Sequence, residues 1–211
     1  MNKQQQTTLQ AKDARYVTDI IDEGFDSNEA NHVKTQSMLG ELLQREAQVG
    51  MKPPPLSFGG VTLDREYYNL FVIGDEVFNG DSFTISKAKS LVEYIEPDVK
   101  ERFFPIREDR VVEQIFTLPS LFMSENKDHM KSHPGRKVTL GRVTELKIEK
   151  NDIRIFFVAE TRLFQQSITD VSKILGIHSA PGYSELNNTH WTIKRLDLMD
   201  ALTGASLIDI R

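Results

Sequence analysis

VTLGRVTELKIE, at residues 138–149, and IRIFFVAE, at residues 153–160, are the strongest β-strand signals in the chain. Both stretches are rich in β-branched and other apolar residues, and Asn151 and Asp152 between them favour a turn, so we predict an antiparallel hairpin. Apolar residues fall on both faces of the second stretch, which is typical of a strand near the centre of a sheet. Gly141 interrupts the alternation of the first stretch by one residue, which predicts a bulge.

The sequence after this hairpin predicts two short helices and one strand. Residues 167–175 place apolar side chains at helical spacing and are followed by Gly176, a residue typical of helix ends. Residues 190–194 alternate like a strand, and residues 197–203 predict a last helix that ends before Gly204.

The sequence before the hairpin predicts a second pair of strands. Residues 67–73 and residues 82–85 are both rich in apolar and β-branched side chains. Asn79 and Gly80 lie between them and tolerate positive φ angles, which predicts a two-residue hairpin turn.

Helical segments are predicted between this pair and the later hairpin. Ser86 can cap a helix that carries apolar side chains as far as Ile95 and ends at Pro97. Residues 111–116 predict a further helix or, alternatively, a pair of strands.

Three consecutive prolines, at residues 53–55, mark a boundary because they remove amide donors and favour an extended chain. Before them, apolar residues at helical spacing predict a helical arm over residues 1–52, of which the polar residues 1–8 are predicted to be disordered. After them we predict an α+β globular domain over residues 56–211, with a further division near residue 105 left open. The predicted fold class is α+β: an N-terminal helical arm, then a mixed, mainly antiparallel sheet with a few short helices.

The composition excludes several classes of site. The chain has 211 residues and no cysteine, so it has no disulfide, thiolate zinc site, iron–sulfur cluster or cysteine nucleophile. Its net charge of −5 argues against a generally basic nucleic-acid-binding protein. It has no glycine-rich nucleotide-binding motif, and we predict no cofactor. No apolar run approaches the roughly 20 residues that span a bilayer, and the first ten residues are polar, so we predict a cytoplasmic protein without membrane contact.

The last hundred or so residues resemble a β-rich domain of uncharacterised bacterial proteins. The resemblance rests on LPSLFM at residues 118–123, LGRVT at 140–144, and LNNTHW at 186–191 followed by Lys194 and by Asp197 and Leu198. It implies a bacterial source and a domain that recurs in different contexts, and it implies no activity, cofactor or catalytic residue.

A basic cluster precedes and enters the first strand of the hairpin, within residues 127–142. Its cations can hold a phosphate or a nucleic acid, since charge-assisted hydrogen bonds to phosphate oxygens are strong. The alternative is a solvated, charged loop. The candidate binding residues are Lys131, Arg136, Lys137 and Arg142.

Two weaker patterns are compatible with metal chemistry. His129 and His133 are four residues apart, a spacing that shares a metal when the segment is helical. Glu145 and Lys147 would share one face of a strand, as in metal-dependent nucleases, where a carboxylate binds magnesium and a lysine steadies the attacking water. The alternatives are an ordinary polar loop and an ordinary solvent-facing strand.

His190 and Trp191 are candidates for a pocket or an interface, because an indole beside a histidine can line a binding site. The alternative places Trp191 in the core and His190 as its neighbour. A small-molecule sensor using this pair is one functional hypothesis.

The leading functional prediction is a non-catalytic bacterial binding or adaptor module that acts through protein contacts or through contacts between copies of the chain. The alternative is a protein that acts on nucleic acids or nucleotides, including a metal-dependent phosphodiesterase, through the basic loop of residues 127–142. The predicted partner is a protein or a second copy of the chain, with nucleic acid as the alternative, and no membrane is involved.

Overall fold

The computed structural model describes residues 55–209, which form one six-stranded sheet, two small two-stranded sheets and four short α-helices. The strands are β1 (Ser57–Phe58), β2 (Val61–Thr62), β3 (Tyr67–Ile73), β4 (Ser82–Ser86), β5 (Pro119–Ser124), β6 (Lys137–Ile148), β7 (Asp152–Phe164), β8 (Ser179–Ala180), β9 (Tyr183–Ser184) and β10 (His190–Arg195). The helices are α1 (Pro97–Phe103), α2 (Asp109–Thr117), α3 (Gln165–Asp170) and α4 (Leu198–Gly204), with 3-10 turns at Lys87–Lys89 and Glu185–Asn187. The predicted helical arm of residues 1–52 lies outside the described residues.

The large sheet has the strand order β10-β3-β5-β6-β7-β4. All neighbours in it are antiparallel except β3 and β5, which are parallel. Strands from both sides of residue 105 pair in this sheet, and Pro55–Arg211 forms one compact unit. The prediction of an α+β fold with a mixed, mainly antiparallel sheet is confirmed for this part of the chain.

The two faces of the sheet bury different side chains. On one face, Phe71 stacks on Phe122 (5.1 Å between ring centroids) and on Trp191 (5.2 Å), and α1 and α2 cover these rings. On the other face the core is mainly aliphatic, includes Leu70 and Leu140, and is covered by α3 and α4. The sheet therefore lies between two layers, which explains why both faces of β3 are apolar.

The long hairpin has the predicted turn and the predicted bulge. β6 and β7 pair antiparallel, and the Glu149 N–H donates to the Asp152 carbonyl oxygen (2.9 Å) across the turn. The register shifts by one residue next to Gly141. A β-carbon at Gly141 would lie 2.0 Å from the Val158 carbonyl oxygen, so only glycine fits this close approach.

The predicted hairpin at Asn79 and Gly80 is wrong. β3 has β10 on one side and β5 on the other, and β4 pairs with β7 instead. Between β3 and β4, Phe78 adopts a positive φ of 48° and inserts its ring into the aromatic core, 5.1 Å from Phe83. Burial of this ring, rather than a local turn, sets the path of the chain here.

The predicted helix from Ser86 to Pro97 is also wrong. Ser86 caps only a single 3-10 turn, and Leu91 and Tyr94 adopt positive φ angles of 55° and 58° that interrupt a right-handed helix. Pro97 begins α1 instead of ending a helix, because a proline in the first turn loses no helical hydrogen bond.

The remaining predicted elements are present, although the helix predicted over residues 167–175 is α3, which ends at Asp170 and is followed by turns. The helix predicted over residues 111–116 is α2, and the predicted strand at residues 190–194 is β10. Asp197 caps α4 through a hydrogen bond from the Asp200 N–H (3.0 Å). No helix described within residues 55–209 has the length and hydropathy required to cross a membrane.

We expect Gly141→Ala to destabilise the domain by about 3 kcal/mol, because the added methyl group meets the backbone of β7 rather than a movable side chain. Urea unfolding measures this loss. Gly204→Ala is the matched control, since a β-carbon at Gly204 meets no atom within 4 Å. Equal stability of the two variants would contradict the close approach at the bulge.

Candidate functional site

One edge of the large sheet, at β10, is covered by residues 90–96, which we call the edge segment. The Leu91 N–H donates to the Trp191 carbonyl oxygen (2.8 Å), and Ser90 forms a bridge with the same residue. The Tyr94 carbonyl oxygen accepts hydrogen bonds from Thr192 Oγ1 and Lys194 Nζ, both at 3.0 Å. These bonds hold the edge segment although two of its residues have positive φ angles.

A buried ion pair supports this arrangement. Lys194 Nζ lies 2.8 Å from Oε1 and 3.0 Å from Oε2 of Glu185, whose side chain is fully buried. Burial raises the pKa of the Glu185 carboxyl, and the Lys194 ammonium opposes that rise. Because Lys194 also binds the Tyr94 carbonyl oxygen, the ion pair connects β10 to the edge segment.

Two tyrosines close the outer side of the edge segment. The Tyr183 hydroxyl donates to the Tyr94 hydroxyl, and a cavity of about 480 Å³ lies between these rings, His178 and Lys194. Burial and the hydrogen bond to Tyr94 raise the pKa of the Tyr183 hydroxyl. The cavity has the size of a small-molecule site, but its buried charges already bind each other.

His190 lies beside this cavity, and Trp191 does not. The His190 ring packs edge-on against Tyr94 (4.7 Å between centroids), and its Nδ1–H donates to the Asn188 carbonyl oxygen (2.8 Å). Its Nε2 is buried and has no hydrogen-bond partner within residues 55–209. Trp191 lies in the aromatic core, where its Nε1–H donates to Asn69 Oδ1 (3.1 Å).

At the other edge of the sheet, β4 covers only about half of the length of β7. β4 pairs with residues 152–156 of β7, and the Phe157 N–H donates to the Asp81 carbonyl oxygen (2.9 Å) just beyond. Residues 158–164 follow β6 on one side and have no strand on the other side within residues 55–209. We call this unpaired side the outer edge of β7.

Two residues of the outer edge, Arg162 and Phe164, direct their backbone N–H groups away from the sheet; the C=O of Arg162 also points outward, whereas the C=O of Phe164 accepts the first hydrogen bond of α3. The Gln165 N–H donates to the Arg136 carbonyl oxygen (3.0 Å), which makes Lys137 and Phe164 a non-hydrogen-bonded pair. Because the pattern alternates, Arg162 is in the same situation two residues earlier. Arg162 and Phe164 can therefore form ladder hydrogen bonds with an additional strand.

Apolar and basic side chains flank the outer edge. Phe164 is 59% exposed and Val158 is 39% exposed. Lys137 Nζ lies 2.9 Å from the centre of the Phe164 ring, and Arg162 Nη2 donates to the Phe78 carbonyl oxygen (3.3 Å). An exposed phenylalanine beside unpaired backbone groups is characteristic of an interaction surface.

The predicted phosphate-binding residues lie near this edge but do not form one cluster. Lys131 and Lys137 are exposed, whereas Arg136 and Arg142 are half-buried. Lys137 and Arg142 are five positions apart on β6, so their side chains project from opposite faces. Arg142 pairs with Val158 across the ladder. The basic residues therefore border the outer edge on both faces.

The histidines of the basic loop, His129 and His133, are exposed and lie outside any helix, so their spacing does not align them. Glu145 and Lys147 share a face of β6, as predicted from the strand period, and form an ion pair with each other (3.4 Å). Within residues 55–209 there is no group of three or more histidine, aspartate or glutamate side chains placed to hold a metal ion.

Three residues at the β10 edge were not predicted from the sequence: Tyr94, Tyr183 and Glu185. Tyr94 contacts Tyr183 and Asn188, which are 89 and 94 positions away in the chain, whereas Glu185 pairs with Lys194 only 9 positions later. The one sequence pattern that relates to this edge is the alternation of β10, which places Lys194 on the same face of the strand as His190 and Thr192.

Comparison of the chain with protein-family models, curated proteins and solved structures found no match. The resemblance of the C-terminal half to a bacterial β-rich domain therefore stays a prediction.

We expect Lys194→Met to destabilise the domain by about 3–5 kcal/mol at neutral pH, because it leaves Glu185 buried without its counterion. Urea unfolding of this variant and of Lys194→Met/Glu185→Leu measures the effect, and the double variant should recover most of the loss. Lowering the pH should also restore part of the lost stability of Lys194→Met. The Glu185 carboxyl, whose pKa burial raises, takes up its proton at a higher pH in the folded state than in the unfolded state. A double variant as unstable as the single one would contradict this account.

Burial lowers the pKa of His190 to about 4 in the folded protein, below the ordinary value of 6.5 that we assign to the unfolded chain. Between these values the unfolded state binds more protons, so this residue should cost up to about 3 kcal/mol of stability as the pH falls from 6.5 to 4. The difference in unfolding free energy between wild type and His190→Gln should therefore shrink over this range. Lys194, Glu93 and Lys89 face His190 in both proteins. A constant difference would show that His190 does not titrate this way.

Proposed function

We propose that the domain is a non-catalytic binding module that accepts an extended segment of a partner protein as an added strand on the outer edge of β7. The observation that carries this proposal is the contrast between the two ends of the sheet. At β10 the edge segment covers the backbone, whereas residues 158–164 have no covering strand within residues 55–209. Soluble domains usually protect such edges, and an unprotected one is a template for strand addition.

Main-chain hydrogen bonds would provide affinity at this edge. Arg162 presents an outward N–H and an outward C=O to the incoming strand, and Phe164 presents an outward N–H, since its C=O accepts the first hydrogen bond of α3. Each hydrogen bond contributes about 1 kcal/mol net, so the edge supports a short segment held with moderate affinity. The bulge at β7 limits the regular ladder, which favours a short partner segment over unlimited stacking of copies.

The side chains around the edge favour a particular partner composition. Lys137, Arg142 and Arg162 carry three positive charges near the outer edge, and Glu160 carries one negative charge. Lys137 lies over the exposed ring of Phe164, and Arg142 pairs with the exposed Val158 across the ladder. The complementary segment combines acidic residues with apolar ones.

The backbone at position 164 allows a sharp test. Phe164 has φ −69°, the value that proline imposes, so Phe164→Pro removes an outward N–H without forcing a new conformation. Phe164→Ala is the matched control, because it removes the ring and keeps the N–H. A random heptapeptide library displayed on phage, selected on the full chain, should yield acidic–apolar peptides. These peptides should bind Phe164→Pro about fivefold more weakly than Phe164→Ala, the equivalent of one hydrogen bond.

Two outcomes would count against the proposal. One is a library that yields no enriched peptide above a bare-surface control. The other is a set of enriched peptides that bind both position-164 variants equally, since their contact would then not use the backbone of the outer edge.

A further inference from the structure

A second cavity, of about 420 Å³, lies on the aromatic face of the sheet next to the turn of the long hairpin. Its walls come from the start of the edge segment, the connection between α1 and α2, and the strand ends that flank the turn. The apolar residues that line it are Leu91, Phe104, Pro105, Ile106, Ile148 and Ile153. We call it the apolar groove, and it is separate from the outer edge of β7, which begins at Val158.

The charged residues of the groove all have one sign. Lys87 and Arg107 line it, and no aspartate or glutamate does. Lys87 Nζ donates to the carbonyl oxygens of Glu149 and Lys150, so it has backbone partners but no carboxylate. Arg107 forms no ion pair within residues 55–209. On a chain with net charge −5, two cations without carboxylates beside an apolar cavity are a specific arrangement for an anionic group.

An exposed aromatic ring stands at the groove. Phe104 is 54% exposed, although it follows directly on the buried Phe103. Lys100 Nζ lies 5.6 Å from the centre of the Phe104 ring and keeps that side polar. Because Phe104 also lines the groove, an apolar molecule bound there would remove part of the ring from water.

We propose that the apolar groove binds a small amphipathic anion, with an aliphatic tail along the isoleucines and an anionic head group at Arg107. A volume of about 420 Å³ is within the range of small-molecule sites, and the mainly apolar lining with few polar groups is their usual composition. A guanidinium binds a carboxylate through two parallel hydrogen bonds, which fixes the head group at the mouth. This inference does not depend on the proposed function, because it uses none of the residues of the outer edge.

Calorimetry on the full chain tests the proposal with decanoate as the probe and decyltrimethylammonium as its cationic counterpart, both below micellar concentrations. Decanoate should bind and the cation should not. Within the series octanoate, nonanoate and decanoate, the affinity should rise about threefold to fourfold for each methylene that enters the groove. Phe104→Ala should lower the affinity, since it removes the ring that covers the tail.

Variants of the arginine separate a head-group site from unspecific apolar binding. Arg107→Gln should weaken decanoate binding at least fivefold, and Arg107→Lys should retain part of the affinity. Arg110→Gln is the control, because Arg110 is exposed, pairs with Glu108 and does not line the groove. Equal binding of the two probes, an unchanged affinity in Arg107→Gln, or no binding of decanoate at all would each overturn the proposal.

Discussion

An open β-sheet ends in two rows of backbone N–H and C=O groups, and the rest of this domain depends on how those two rows are satisfied. At β10 the solution is a segment of the same chain, held by Leu91, Thr192 and Lys194 in a conformation that includes positive φ angles. At the other end, β4 covers only the part of β7 closest to the hairpin turn. The sheet is thus closed on one side and half open on the other, and the proposed function rests on this asymmetry.

The most deeply buried ion pair among the described residues, Glu185 with Lys194, lies at the covered edge, so its desolvation costs the most free energy. Glu185 is fully buried, and its ion pair with Lys194 compensates for desolvation only while the geometry holds. Clusters of groups with shifted pKa values often mark functional sites, but networks that hold a structure together also shift them. Here the charged and phenolic groups bind neighbouring elements: Lys194 binds Glu185 and Tyr94, and Tyr94 binds Tyr183. We therefore interpret this cluster as the means by which the edge segment is held.

The sequence predicted those elements whose causes are local. The turn after β6, the bulge at Gly141 and the last helix near residues 197–203 depend on neighbouring residues, and each is present. The hairpin at Asn79 and Gly80 failed because both sides of β3 are occupied by strands that come much later in the chain.

The helix before Pro97 failed for a related reason. The spacing of its apolar residues indicates one face of a helix, but Leu91 instead packs from the edge segment into the aromatic core beside β10. The outer edge of β7 could not be predicted from the sequence either. No pattern in residues 158–164 reveals that β4 stops short, because strand coverage is a property of the sheet and not of one strand.

The position of β10 in the strand order has a consequence for synthesis of the chain. β3 is among the first described strands to leave the ribosome, yet its antiparallel neighbour β10 is synthesised much later, since Asn69 and Trp191 are 122 positions apart. Until β10 has emerged, one flank of β3 and the aromatic ring stack on Phe71 stay incomplete. A nascent chain therefore exposes one flank of β3 until β10 has emerged, and that step both completes the sheet and supplies the residues that hold the edge segment.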